Sequence, residues 1–266
     1  MLHKDYETVR FEVNNDICHV FLNRPQVRNA INPTMIKELS EIFSTVRHDS
    51  SIRAVTLTGE GAVFCSGADL NWMKEASDLS REENIEDSKQ LYDLFKLIDQ
   101  CHCPVIGGLQ GFVMGGGVGL VSVCDYVVAA KRTTFSLSEV RIGIIPALVG
   151  PFLLKKVGVS WCRALFLSSE KFDSAKALKV GLVHEVVDSD LDMDIAVKRI
   201  CRNIKASSPK AIEKAKTFLN ELPDLHNSEQ SDLAIKTLAD IRVSSEAQEG
   251  IEAFLEKRKP YWVMDS

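Results

Sequence analysis

The sequence predicts an α/β protein with a smaller helical C-terminal region, on three observations. Short β-type runs alternate with helices of ten or more residues over the first two thirds of the chain. Strand signals then stop at about Leu191, and the segments that follow carry helix-start patterns only. Strands separated by long helices need crossover connections, so the sheet is expected to be mainly parallel. The division falls as an α/β core over 1–205 and a helical region over 206–266. A helical region that small cannot cover its own apolar face, so it is expected to dock on the core or on a neighbouring subunit.

In chain order, Thr8–Val13 and Ile17–Leu22 read as a hairpin. Asn32 as cap and Pro33 in the first turn open a helix to about Arg47, and Arg53–Gly59 is a buried-strand pattern ended by glycine. Ser80-Arg81-Glu82-Glu83 forms a capping box for a helix to about Gln100, and Pro104-Val105-Ile106 begins another strand. Past Leu191, Ser208-Pro209 and a Ser245-to-Gln248 capping box start helices, and the tail to Tyr261 is expected to be entirely helical.

Composition narrows the class. The chain has 266 residues, 45% hydrophobic and 26% charged with 8 Pro, which excludes a disordered or fibrous protein. A net charge of -5 argues against a general nucleic-acid scaffold. Seven cysteines, an odd number set mostly in apolar runs, read as buried thiols of a reducing compartment. The start, Met1–Glu7, carries charges and no apolar core, and no run reaches the ~18 apolar residues of a membrane span. A cytoplasmic protein is the expectation.

Three stretches carry candidate chemistry. In Gln110–Leu120, Gly115, Gly116 and Gly117 remove every Cβ at a helix entrance, where unpaired backbone N–H groups can bind an anion or a developing oxyanion. The alternative is a helix packed tightly on its sheet, and the spacing is neither a dinucleotide fingerprint nor a Walker A sequence. In Phe64-Cys65-Ser66-Gly67-Ala68-Asp69-Leu70, small residues let the N–H of Ala68 reach a ligand and place Asp69 as a cap. Cys65 and Ser66 stand without a nucleophile elbow or a nearby histidine, so a structural role is favoured for both. In Phe135–Pro146, Glu139 is a single carboxylate among Leu137, Val140, Ile142 and Ile144, which suits an acid/base with a raised pKa; an ion pair with Arg141 is the competing reading. The six histidines, His3, His19, His48, His102, His184 and His226, are scattered. Cys101-His102-Cys103 is compact but lacks a second ligand pair, so no metal site is expected. The basic stretch from Lys198-Arg199 to Lys216 reads as a solvated helix face rather than an RNA contact.

Taken together, Arg24-Pro25 to Asn29-Ala30, Phe64–Leu70, the Gly115–Gly117 entrance, Cys124-Asp125, Ser138-Glu139 and Phe254-Leu255-Glu256-Lys257-Arg258 resemble the enoyl-CoA hydratase/isomerase, or crotonase, family over almost the full chain. The resemblance implies a crotonase-like spiral of ββα units with C-terminal trimerisation helices, assembled as a trimer or a dimer of trimers. It implies an acyl-CoA thioester substrate whose carbonyl is held by the N–H groups of Ala68 and Gly116, with Glu139 as the catalytic carboxylate. CoA contacts map onto Arg24, Val27, Asn29 and Ala30, onto Ser66, Ala68, Asp69, Leu70 and Asn71, and onto Phe254 and Lys257, the last two often reaching a neighbour's ligand. No cofactor, metal or membrane is implied; CoA is part of the substrate. Phe95, Trp72 and Leu148 are expected acyl-pocket walls.

One position departs from the family pattern. Typical hydratases carry a second glutamate two residues after the glycine triplet, where this chain has Gly119. The flanking segments resemble bacterial methylglutaconyl-CoA-type hydratases of leucine catabolism, which implies reversible hydration of a branched 2-enoyl-CoA. The single carboxylate instead suits a Δ3,Δ2-enoyl-CoA isomerase using Glu139 as sole base. A non-catalytic acyl-CoA-binding or RNA-binding relative is the reading from another class.

Overall fold

In the hairpin β1 (Val9–Asn14) and β2 (Ile17–Leu22), the period-2 alternation of β2 sends Cys18, Val20 and Leu22 to one face and Ile17 to the other. That alternation decides the layers. Cys18, Val20 and Leu22 pack under α1 (Pro33–His48) with Met35, Leu39, Ile42 and Phe43, while Ile17 joins a second cluster on the opposite face. Asn32 caps α1 by accepting from the Met35 amide at 2.9 Å, with Pro33 in the first turn. The structure, a computed structural model, describes residues 5–263; Met1–Lys4, including His3, and Met264–Ser266 lie outside the described residues.

From β2 the sheet grows in parallel through β3 (Ala54–Gly59), β4 (Val105–Leu109), β6 (Tyr126–Ala130) and β9 (Glu185–Val187), in the order β1-β2-β3-β4-β6-β9. Only β1 runs antiparallel in it. A smaller sheet of β5 (Phe112–Met114), β7 (Thr134–Ser136) and β8 (Phe172–Asp173) was not read from the sequence, because strands of two or three residues carry no periodicity. Each is too short to show alternation. Cys65 bridges Val113 of β5, so the turn after β3 and the strands after β4 and β6 meet at one place.

The connections are α2 (Leu70–Ala76) and α3 (Arg81–Asp99) before β4, α4 (Gly116–Ser122) before β6, and α5 (Gly150–Ser168) before β8. Ser80 and Glu83 form the predicted reciprocal cap of α3, with Ser80 N–H donating to Glu83 Oε2 at 2.8 Å. α5 breaks at Gly158, where φ is 74°. After α6 (Ser174–Lys179), α7 (Asp190–Lys205) covers the second sheet face through Met193, Ala196, Val197 and Ile200 against Ala54, Ile106 and Val128.

The chain closes with α8 (Pro209–Glu221), α9 (Asn227–Arg242) and α10 (Ser245–Leu255). The cap of α10 is Ser244, accepting from the Ala247 amide, one residue before the Ser245 expected from the sequence. Nor does the helix reach Tyr261: it ends at Leu255, Lys257 takes φ 56°, and turns follow. Pro260 cannot continue a helix. These helices touch the core at a few polar points, among them Lys216 of α8 on Asp125 at 2.6 Å. Their outer faces leave Ile235, Val243, Phe254 and Leu255 exposed. No helix among the described residues is long and apolar enough to cross a membrane.

Candidate active site

The turn after β3 and the loop after β2 are joined by three backbone hydrogen bonds: Ile31 N–H donates to Gly67 O, Asp69 N–H to Ile31 O and Ser66 N–H to Arg28 O, at 2.8 to 3.0 Å, while Asn29 N–H to Arg24 O at 2.9 Å closes the loop on itself. This register spends the amides on either side of Ala68 and turns the Ala68 N–H away from the bridge. Arg28 and Asn29, with φ of 55° and 53°, make the sharp bend that brings the loop back.

Arg24 and Asn29 serve this arrangement from within. Arg24 Nη1 donates to Ala30 O at 2.7 Å and to Asp69 Oδ2 at 2.8 Å, so it clamps the two loops together. Asn29 is fully buried; its Nδ2 donates to the carbonyls of Glu60 and Val63, and its Oδ1 accepts from the Arg24 amide. Burial alone would raise the Asp69 carboxyl, but hydrogen bonds from Arg24 and the Asn71 amide outweigh it and hold the group below its ordinary value. Asp69 also caps α2 through that Asn71 amide. Val27, Leu70 and Asn71 are left on the outer surface, and Ser66 Oγ donates to Val27 O at 3.4 Å.

The second turn comes from the glycine triplet. Gly115 caps α4 with φ 48°, a conformation open to glycine, and its N–H donates to Ser136 O of β7. Gly116 is the first helical residue, so its N–H has no acceptor within the helix. A Cβ on Gly115 would lie 3.0 Å from Glu139 Oε1 and 3.8 Å from Gly67 Cα. The absent side chain is therefore the space in which Glu139 meets both turns.

Glu139 begins a short 3-10 turn, Glu139–Ile142, directly after β7 and Ser138. Its Oε2 is buried with no hydrogen-bond partner. Burial pushes the carboxyl above its ordinary value, against a weaker opposing bond from its own backbone amide. The ion pair with Arg141 does not form, because Arg141 Nε and Nη2 donate to the side chain and carbonyl of Ser169 at 2.6 and 2.9 Å. An unpaired carboxyl beside two sets of backbone donors can hold and return a proton next to a bound carbonyl.

One turn further along α4 the space is filled. A Cβ on Gly119 would fall 2.4 Å from Phe95 Cζ, so the position of the expected second carboxylate is occupied by a ring from α3. Phe95 is fully buried and stacks edge-on with Phe152 at 5.8 Å. It offers no surface to an acyl chain, contrary to the pocket-wall expectation. Trp72 and Leu148 stay partly exposed, Trp72 donating to Asp87 Oδ1 at 3.1 Å. Sequence reasoning found Gly119 but not Phe95's contact with it, since 24 positions separate them and no motif links them.

Other candidates lie elsewhere. Burial pushes the Cys65 thiol up to about 12, which makes it inert as a nucleophile. The basic stretch is ion-paired: Arg199 with Glu185, and Lys205 with Asp16 and the Asn15 carbonyl. Phe254 lies in an apolar groove of about 570 Å³ among the C-terminal helices, lined also by Ile241, Leu255 and Trp262 and by none of Ala68, Gly116 or Glu139. Lys257, just beyond α10, is exposed.

This arrangement of two amide-bearing turns and one carboxylate is accompanied by similarity along the whole chain. The sequence model of the family described as enoyl-CoA hydratase/isomerase matches residues 12–264. Enoyl-CoA hydratase AKT6-1 of Alternaria alternata is 30% identical over 246 residues, 90% of this chain and 78% of that protein. The crystal structure of an enoyl-CoA hydratase from Shewanella pealeana superposes with a TM-score of 0.92 at 32% identity, covering 96% of each chain. Pseudomonas aeruginosa AtuE superposes at 0.94 with 31% identity, over 97% of this chain and all of that one. The two turns, the carboxylate and the fold that holds them have one common explanation: this chain belongs to the enoyl-CoA hydratase/isomerase family and has the crotonase fold.

Proposed function

We propose that the protein catalyses the reversible hydration of a branched 2-enoyl-CoA resembling 3-methylglutaconyl-CoA, with Glu139 as its central acid/base. The observation that carries this reading is the Glu139 carboxyl, whose Oε2 is buried without a partner and whose Oε1 lies 3.0 Å from where a Cβ on Gly115 would stand. The thioester carbonyl accepts hydrogen bonds from the N–H groups of Ala68 and Gly116. As C2 gains carbanion character, charge builds on that oxygen, and preorganised donors contribute about 3 kcal/mol each. Glu139 takes a proton from the attacking water and delivers one to C2; dehydration reverses both transfers. The Val27, Leu70 and Asn71 surface beside these turns receives the CoA moiety. Phe254 and Lys257 of a neighbouring subunit complete that site in a homotrimer or a dimer of trimers, and the relatives named as hydratases support the choice of reaction.

A second reading has its own observation. With Phe95 in place of a second carboxylate, the site holds one proton-carrying group, which is all that Δ3,Δ2-enoyl-CoA isomerisation needs. The two readings separate by product mass. Wild type and Glu139→Gln are offered 3-methylglutaconyl-CoA, crotonyl-CoA and a 3-enoyl-CoA, with products resolved by mass and retention. A gain or loss of water that disappears in the variant supports hydration. Double-bond migration at constant mass, also lost in the variant, replaces it with isomerisation, and silence on all three substrates removes both.

A further inference from the structure

Cys101, His102 and Cys103 form the turn between α3 and β4, at the opposite end of β4 from Gln110 and the glycine turn. No second ligand pair stands near them in the sequence, but the fold brings their ligand atoms together. Cys101 and Cys103 are buried with their Sγ atoms 3.7 Å apart, and a ring nitrogen of His102 lies within 4.8 Å of both. Two sulfurs on a tetrahedral Zn²⁺ with bonds of about 2.3 Å stand about 3.8 Å apart, so the thiol spacing already fits. The imidazole is oriented too. His102 Nε2 lies 3.2 Å from the Ile52 carbonyl, while Nδ1 is buried with no hydrogen-bond partner.

With Nε2–H donating to Ile52 O, Nδ1 carries a free lone pair. That is the pattern of a metal-ligating histidine, whose other ring N–H is held by a backbone carbonyl. We propose that Cys101 Sγ, Cys103 Sγ and His102 Nδ1 bind one Zn²⁺, leaving the fourth position open. Two thiolates and an imidazole select a thiophilic cation over Mg²⁺ or Ca²⁺. Binding releases the two thiol protons to solvent, and no other bond changes. The ion has a route: a cavity of about 260 Å³ lined by His102, Cys103 and Glu213, and another of about 480 Å³ lined by Cys101, His102 and Glu213. Lys216 of α8 donates to the Cys103 carbonyl at 3.2 Å, so the C-terminal helices pack over this turn.

The test uses the reduced, chelator-stripped full chain titrated with Co²⁺ and then Zn²⁺. The expected result is one equivalent of Co²⁺ with intense thiolate-to-cobalt absorption, bleached by one equivalent of Zn²⁺. Double substitution Cys101→Ser/Cys103→Ser abolishes the band, and His102→Gln weakens binding by at least about 100-fold, at the upper end of what disturbing a metal site's support costs. His102 is partly exposed, so His102→Gln keeps the test sound should the buried double substitution unfold. Acyl-CoA turnover stays unchanged in His102→Gln. No thiolate band in wild type, or a band that persists at full affinity in His102→Gln, overturns the proposal.

Discussion

The N-terminus and the middle of α4 use glycine for opposite purposes. At Gly115 and Gly116 the missing side chains leave space that a carboxylate and a pair of loops share, with an unsatisfied Oε2 facing in. At Gly119, one turn on, the missing side chain admits the Phe95 ring at core density. The same residue type thus leaves the N-terminus open for chemistry and closes the middle. The position of the expected second carboxylate is no void: it is a packing site, filled by a buried ring.

The largest expected effect is at the open end. Glu139→Gln keeps size and removes the proton acceptor, and turnover should fall by about 10³-fold, within the range for general acid–base groups. Steady-state kinetics on the active substrate checks this; a loss under tenfold would move the acid/base elsewhere. In the closed middle of α4, Gly119→Glu drives a side chain into Phe95 and buries a charge, so it should destabilise by about 3 kcal/mol or more. Adding Phe95→Ala should recover part of that loss, because the two positions share one space. Denaturant titration of the single and double variants gives the coupling, and strict additivity would mean that the ring does not occupy the site.

The clamp between the loops after β2 and β3 comes next. Asp69→Ala leaves Arg24 unpaired, strips the α2 cap and should cost about 3 kcal/mol, the scale of breaking a buried ion pair. A cost within experimental error would show that the loops hold together by backbone bonds alone. The Asp69 contribution is present above its ordinary value of 3.8 and fades as pH falls through its lowered folded value.

The smallest effect has the opposite sign. Glu139 is raised on folding from an ordinary value of 4.5, so its stabilising protonated form is fully populated below that value and lost as pH rises through the folded one. Above the folded value wild type carries a desolvated carboxylate that Glu139→Gln lacks. The variant should gain in melting temperature relative to wild type as pH rises through the folded value, with the gap closing toward pH 4.5. A relative loss as pH rises would show that the carboxylate is paired in solution.

What the sequence disclosed follows the range of its interactions. Asn32, Ser80 and Asp69 announce helix starts because a cap is satisfied within three residues. Four strands of the main sheet were legible from their apolar patterns and crossover lengths, while β6 and the three-residue β9 were not read. Glu139 stood out by its apolar neighbours, and Gly116 and Ala68 by the missing or small side chains around them. Less visible were contacts made only by tertiary packing: Phe95 on Gly119, Arg24 on Asp69, Arg141 on Ser169, and the three short strands of the small sheet. The tail misled for a local reason, since good helix formers continue past Leu255 while Lys257 turns left-handed.

Both proposed reactions share one step, proton exchange at C2 of a thioester, which the proposal assigns to Glu139 with Ala68 and Gly116 holding the carbonyl. The most direct test incubates the 3-hydroxyacyl-CoA and the 3-enoyl-CoA with enzyme in D₂O and follows deuterium entry at C2 by mass. Wild type should exchange the C2 proton, and Glu139→Gln should slow that exchange by about 10³-fold while still binding the thioester. Exchange in Glu139→Gln within tenfold of wild type would contradict the account, because some other group would then be moving the proton.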